Sequence, residues 1–208
     1  MTKYPRYQDY VIKDGKLVGE FEQMYQDFDD PWEQTTREQG AFEKQIALEI
    51  VRRQGYQRVM ELGCGLGDFT AKLQQEAKSV LGVDVSKTAI QKAQKKHPGL
   101  SFAAADILDF DVYRKFKPDC IIMAEITWYV LEKLDQFKSF LSSEMRGTGI
   151  IHLLMTYREG EQKYGREYFT DLEGIMKYWG GVDFQDWGSF SRKEYHGGKR
   201  TFFHGVIV

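Results

Sequence analysis

Apolar positions change their period along this chain, and the changes mark out its elements. Phe42, Ile46 and Ile50 fall four residues apart, with Leu48 and Val51 widening the stripe. Thr35 followed by Glu38 has the form of a capping box. The pattern therefore predicts an amphipathic helix that runs to about Gln54 and ends at Gly55. Beyond it, short apolar runs at Arg58–Leu62, Ser79–Asp84, Leu100–Ala104, Cys120–Ala124 and Ile150–Met155 alternate with helical segments. Those segments are Asp68–Glu76, Lys87–Lys96 and Leu134–Met145, with another helix near Asp171. Strands that are apolar along their whole length need cover on both faces, which implies a parallel sheet. The tail differs: Val182–Phe190 and Arg200–Val208 read as two strands joined through Tyr195-His196-Gly197-Gly198, an antiparallel hairpin. The expected fold is α/β, Rossmann-like: a doubly wound, mostly parallel, seven-stranded sheet with a C-terminal antiparallel hairpin. Such sheets bind ligands at the carboxyl ends of their strands. Residues 1–36, rich in Tyr, Asp and Gln, read as an irregular N-terminal extension ahead of a domain over 37–208.

Composition narrows the partners. A net charge of −2 on 208 residues argues against a surface that neutralises duplex phosphates, so no nucleic acid is expected. Two cysteines, Cys64 and Cys120, give no disulfide framework and suit a reducing compartment. The polar start of the chain has no signal-peptide core, and no run approaches the roughly 18 apolar residues of a membrane span. A cytoplasmic protein with no membrane partner is the expectation, and a homodimer stays open. The histidines His97, His152, His196 and His204 are scattered and no metal-ligand spacing is present, so no metal is expected.

The strongest chemical signal is Glu61-Leu62-Gly63-Cys64-Gly65-Leu66-Gly67, directly after the first long strand. Glycines let such a turn tighten and let a ligand approach the backbone. Asp84 ends the next strand, 21 residues after Gly63, where a carboxylate can accept hydrogen bonds from ribose hydroxyls. A helix-capping role ahead of Ser86 is the bland alternative. The spacing G-x-G-x-G departs from the dinucleotide fingerprint G-x-G-x-x-G. Asp68 at the helix start and Glu61 in the loop also disfavour a pyrophosphate, which seeks the positive end of a helix. A nucleoside ligand without phosphates fits better.

Over Arg58 to Met155 these motifs resemble class I S-adenosylmethionine-dependent methyltransferases. The resemblance implies S-adenosylmethionine as cofactor, with Glu61, Gly63, Cys64, Gly65 and Gly67 forming the first motif under its methionine part. It implies that Asp84 holds the ribose, Val85 lies against the adenine, and Asp106-Ile107 contacts the adenine edge. Ala124-Glu125-Ile126 matches the segment on the methionine and acceptor side. More narrowly, Asp30-Pro31-Trp32, then Glu43-Lys44, then Glu125 followed by Trp128-Tyr129, is similar to the nodulation-factor N-methyltransferase group. That likeness implies a lid over the cofactor, with Trp32 covering it and Lys44 near its carboxylate.

Methyl transfer from a sulfonium needs alignment and exclusion of water rather than a metal. Glu125 and Tyr129 follow the fourth strand and stand where transfer is expected, and His152 is the third candidate catalytic residue. The loop from Tyr157 to Tyr168, with Arg158 and Arg166, leaves the carboxyl end of a strand and suits a polar, sugar-like or phosphorylated small-molecule acceptor. Attack through nitrogen or oxygen is left open at this point. An RNA or protein methyltransferase, an NAD-dependent oxidoreductase and a non-catalytic binding module are the competing readings.

Overall fold

The computed structural model describes residues 2–37, 41–157, 160–191 and 198–208, the side chains of 36 and 37 excepted. A 3-10 turn at Tyr7–Tyr10 leads into β1 (Ile12–Lys13) and β2 (Lys16–Leu17), then α1 (Phe21–Asp27) and α2 (Gln34–Arg37). Next come α3 (Phe42–Gln54), β3 (Arg58–Leu62), α4 (Asp68–Glu76), β4 (Ser79–Asp84) and α5 (Lys87–Lys96). They are followed by β5 (Ser101–Ala104), α6 (Phe110–Phe116), β6 (Cys120–Ala124), α7 (Leu134–Glu144) and β7 (Gly149–Thr156). The chain closes with α8 (Leu172–Tyr178), β8 (Val182–Phe190) and β9 (Lys199–Ile207).

The main sheet has seven strands in the order β5-β4-β3-β6-β7-β9-β8. β5 through β7 are parallel, whereas β9 runs antiparallel to β7 and pairs with β8 as a hairpin. From β3 the chain winds outward to β5 and then crosses back to β6, so the order reverses between β3 and β6. In sheets of this kind the ligand crevice lies at such a reversal, outside the carboxyl ends of the strands. Each face of the sheet has its own apolar layer. Met60, Ile121 and Leu154 pack with Tyr113, Phe137, Phe140 and Trp179 on one side. Val59, Ile122 and Ile151 pack with Ala47, Val51, Phe69 and Leu73 on the other. This is the doubly wound α/β arrangement that the strand pattern predicts.

Two expectations need correction. α3 starts at Phe42 rather than at a capping box; Glu38 lies outside the described residues, and Ala41 supplies no side-chain cap. Its buried face is also rotated from the predicted stripe. Ala47, Ile50 and Val51 are buried with Glu43 and Lys44, while Phe42 is 53% exposed and meets Phe190 edge-on at 5.0 Å. The first turn of α3 stands over the ends of the strands, where polar groups line the crevice, so burial there follows the site rather than hydrophobicity.

The N-terminal extension is structured, not irregular. Tyr10, Met24 and Tyr25 form a third apolar cluster with Leu66 and Ala89. Glu22 on α1 accepts from the hydroxyls of Ser86 (2.8 Å) and Thr88 (2.6 Å) at the start of α5. Burial raises the Glu22 carboxyl, but these hydrogen bonds outweigh it and bring the pKa to about 2. Lys92 donates to the carbonyls of Tyr25 (2.7 Å) and Phe28 (2.9 Å). The polar residues that read as solvated are thus the anchors of the extension on α5. The pattern did not announce α6, a seven-residue helix too short and too charged to show a period. Tyr195, His196 and Gly197 of the expected hairpin turn lie outside the described residues.

Candidate active site

The loop from Gly63 to Gly67 carries β3 into α4 with three left-handed glycines, at φ of 72°, 54° and 80°. A Cβ at Gly63 would sit 2.2 Å from Ile126, at Gly65 2.3 Å from the Gln34 side chain, and at Gly67 2.6 Å from the Phe102 ring. Each glycine therefore admits a different neighbour: the segment after β6, the N-terminal extension, and β5. Every amide of the loop is committed. The N–H groups of Gly63 and Cys64 donate to the Val83 carbonyl, and that of Gly67 to the Cys64 carbonyl. Gly65 N–H donates to Asp84 (2.9 Å) and Leu66 N–H to Gln34 Oε1 (2.8 Å). With no N–H left to offer, this loop cannot cradle a pyrophosphate in the manner of a dinucleotide-binding turn. Glu61 is buried in β3 and accepts from the Thr70 hydroxyl on α4. The thiol of Cys64 is buried, and burial pushes its pKa up.

Asp84 closes β4 with its carboxylate across the loop. One oxygen accepts from Gly65 N–H and the other from Ser86 N–H (2.9 Å). Burial raises this carboxyl, and the two N–H donors oppose the shift. A carboxylate has about four acceptor positions, so capacity remains here for hydroxyl donors. Val85 follows with an apolar side chain 52% exposed, the kind of surface on which a planar base can lie. After β5, Asp106 accepts from Leu108 N–H (3.0 Å) and pairs with Lys133. Ile107 turns into the core, where its carbonyl accepts from the Tyr113 hydroxyl (3.1 Å).

The extension folds down against this crevice. Trp32 lies 5.7 Å from the Tyr129 ring and 5.1 Å from Tyr7, and Phe21 lies 5.5 Å from Tyr129 on another side. Lys44 is buried with its ammonium 4.9 Å from the Phe69 ring on α4 rather than on a solvated helix face.

At the end of β6, Glu125 adopts φ 63°, an uncommon region for a residue with a side chain. Its N–H donates to the Leu153 carbonyl, and its carboxylate accepts from Met155 N–H (3.0 Å) and pairs with Arg200 of β9. Arg200 also faces Glu43 of α3, with Nε 3.7 Å from Oε1. The other oxygen of Glu43 is buried without a hydrogen-bond partner among the described residues. The group is graded in depth: the side chains of Glu43, Arg200 and Glu125 are 5%, 16% and 29% exposed. Burial raises the Glu125 carboxyl, opposed by Arg200. Burial, then the nearby Glu125, keeps the Tyr129 phenol protonated well past neutral pH.

His152 is not part of the crevice, and its expected catalytic role is corrected. It is buried beneath the segment after β6, bonded to the Thr127 hydroxyl and set edge-on to Phe203 (4.8 Å). Burial lowers its pKa to about 3, so the ring stays neutral and takes no proton at physiological pH. In the loop after β7, Arg158 and Glu159 lie outside the described residues. The remainder is pinned rather than free: Gln162 donates to the carbonyls of Tyr164 (3.0 Å) and Phe169 (2.9 Å). Tyr157 packs on Trp128 at 5.1 Å. Among the described residues there is no cluster of three metal-ligating side chains, and no helix is long and apolar enough to cross a membrane.

Sequence reasoning missed Gln34 and Arg200, and it gave the Glu43 carboxylate no role. Gln34 carries no motif. Arg200 reaches Glu125 only through the antiparallel register that sets it opposite Met155. No local signal announces that pairing.

Comparison with known proteins agrees with this geometry. The profile of the nodulation protein S family matches residues 19–145. Nodulation protein S of Sinorhizobium fredii is 28% identical over 109 residues, 49% of this chain and 48% of that protein. An uncharacterized methyltransferase of Alkaliphilus oremlandii is 28% identical over 120 residues, 57% of this chain and 54% of its own length. The chain thus spans about half the length of these curated relatives. The solved structure of the N-methyltransferase NodS of Bradyrhizobium japonicum with S-adenosyl-L-homocysteine superposes with a TM-score of 0.61 at 20% identity, over 86% of this chain and 93% of that one. The chain belongs to the nodulation protein S family and has the fold of the class I methyltransferases.

Proposed function

We propose that this chain binds S-adenosylmethionine between the glycine loop, Asp84 and the N-terminal extension. It then methylates the amine nitrogen of a polar, sugar-like small molecule lying over β6, β7 and β9. Residues 1–36 act as the lid and 37–208 as the methyltransferase domain. Asp84 takes the ribose hydroxyls, and Val85, Asp106 and Ile107 flank the adenine. Glu61, Cys64 and the three glycines shape the floor under the methionine part. Lys44 stands toward the cofactor carboxylate from α3, and Trp32 covers the cofactor together with Tyr129. The bound cofactor supplies an activated methyl on a sulfonium.

The observation that carries the acceptor class is the trio of Glu43, Arg200 and Glu125. Two carboxylates share one guanidinium, and one carboxylate oxygen lacks a partner among the described residues. Two carboxylates against one guanidinium leave an excess of acceptors in the trio, which an ammonium with three donors complements at its open end. Glu125, at the open end of the trio, would hold the amine and accept its proton as the lone pair turns toward the methyl. A hydroxyl brings one donor and fills the site less well. The competing oxidoreductase reading is disfavoured because the loop leaves no amide for phosphate. An RNA-directed reading is disfavoured by the net charge of −2.

Methyl-labelled S-adenosylmethionine, incubated with the chain and either glucosamine or N-acetylglucosamine, tests the proposal. Label is expected in the free amine alone. Equal labelling of both sugars, which share their hydroxyls, would move the reaction to oxygen.

A further inference from the structure

Of the five amides in the glycine loop, four are held from within the nucleotide-binding core, by Val83, Asp84 and Cys64. The fifth is held from outside it. Leu66 N–H donates to Gln34 Oε1 at 2.8 Å, and the same side chain sets Nε2 3.4 Å from the Cys64 carbonyl. Gln34 is 8% exposed and opens α2, which Asp30 caps by accepting from the N–H groups of Gln34 (2.8 Å) and Thr35 (2.9 Å). Trp32 lies between cap and helix, against Tyr129. One short segment thus carries both the aromatic cover and an amide that completes the loop. Gly65 permits this approach, since a Cβ there would collide with Gln34 and with the Tyr25 hydroxyl.

We propose that Gln34 is a positioning residue that latches the lid to the glycine loop and thereby sets how long the cofactor stays. The inference rests on the cofactor site proposed above. Lifting the segment strips the buried Leu66 N–H of its acceptor, so opening carries a penalty that closing recovers. The latch exists only while the segment is down, so its loss acts on the step that lifts the segment from a bound cofactor. α1 is fixed to α5 through Glu22 and Lys92, and α2 meets α5 where Lys96 donates to the Thr35 hydroxyl (2.9 Å), so Trp32 lies on a short segment between two anchors that Gln34 draws onto the loop.

Stopped-flow tryptophan fluorescence with S-adenosylhomocysteine tests this on the full chain, comparing wild type with Gln34→Ala and Gln34→Glu. Gln34→Ala is expected to release the ligand roughly five- to tenfold faster, with association changed less than about twofold. Gln34→Glu keeps the acceptor for Leu66 but turns an oxygen toward the Cys64 carbonyl, so its release falls between the two. A purely structural role would lower the melting temperature of the ligand-free protein and leave release unchanged, which overturns the proposal. Faster association with tighter binding in Gln34→Ala also overturns it, because Gln34 would then be occupying the ligand's seat. Absence of any ligand signal in wild type removes the cofactor assignment itself, whereas normal wild-type binding with unaltered release in both variants removes the latch alone.

Discussion

Over β3 and β4 every loop amide has a partner and the Asp84 carboxylate is met by two N–H donors. Over β6, β7 and β9 the chain does the opposite. It forces Glu125 into a left-handed conformation, gathers a half-buried charged trio around Arg200 and leaves an oxygen of Glu43 unmatched among the described residues. The first half is a finished surface that needs only hydroxyls and an apolar ring to complete it. The second carries unmet polarity, and unmet polarity is what discriminates among acceptors, because a site built for particular donors rejects molecules that lack them. Cofactor recognition and acceptor recognition are therefore separable by mutation.

The largest effect is expected at Glu125. Glu125→Ala leaves Arg200 without its closest partner and should destabilise the fold by roughly 2–3 kcal/mol. That lies below the roughly 3–5 kcal/mol of a fully buried pair, since the Glu125 side chain keeps 29% exposure. Methyl transfer should vanish while S-adenosylhomocysteine still binds; urea unfolding and a binding titration read the two separately. Loss of cofactor affinity in this variant would dissolve the contrast between the halves. Asp84→Ala should act in reverse, weakening cofactor binding by about 1–3 kcal/mol and sparing the acceptor side.

His152 sharpens the comparison through pH. Its folded pKa of about 3 lies below its ordinary 6.5, so between these values the unfolded chain binds a proton that the native ring does not. The stabilisation is complete above pH 6.5 and is lost on acidification at about 1.4 kcal/mol per pH unit. His152→Phe should flatten that slope in chemical denaturation series. An unchanged slope would mean that the ring is open to solvent in the native state. The smallest effect is expected from Trp32→Ala, about 1 kcal/mol in cofactor affinity with little change in melting temperature. A melting-temperature loss alone would make Trp32 a packing residue rather than a cover.

The cofactor half was legible in the sequence because its requirements are local. Glycines at 63, 65 and 67 must follow a strand, and Asp84 must end the next one. Of the acceptor half only Glu125 and Tyr129 announced themselves, by following a strand, because Glu43, Glu125 and Arg200 come together only through strand register and helix placement. His152 misled for a related reason: a histidine in an apolar strand has the same local pattern whether it faces a crevice or Trp179. The extension misled as well, because buried tyrosines and capping aspartates share the composition of a solvated tail. Tertiary anchoring on α5 decides between them.

The central claim is that the crevice formed by Gly63–Gly67 and Asp84 accepts an adenosyl group carrying no phosphate. Calorimetric titration of the chain with S-adenosylhomocysteine and, separately, with NAD tests it most directly. One-site binding of the first, abolished or weakened at least about tenfold by Asp84→Ala, with no heat from the second, is the predicted result. Saturable binding of NAD with none of S-adenosylhomocysteine would contradict it.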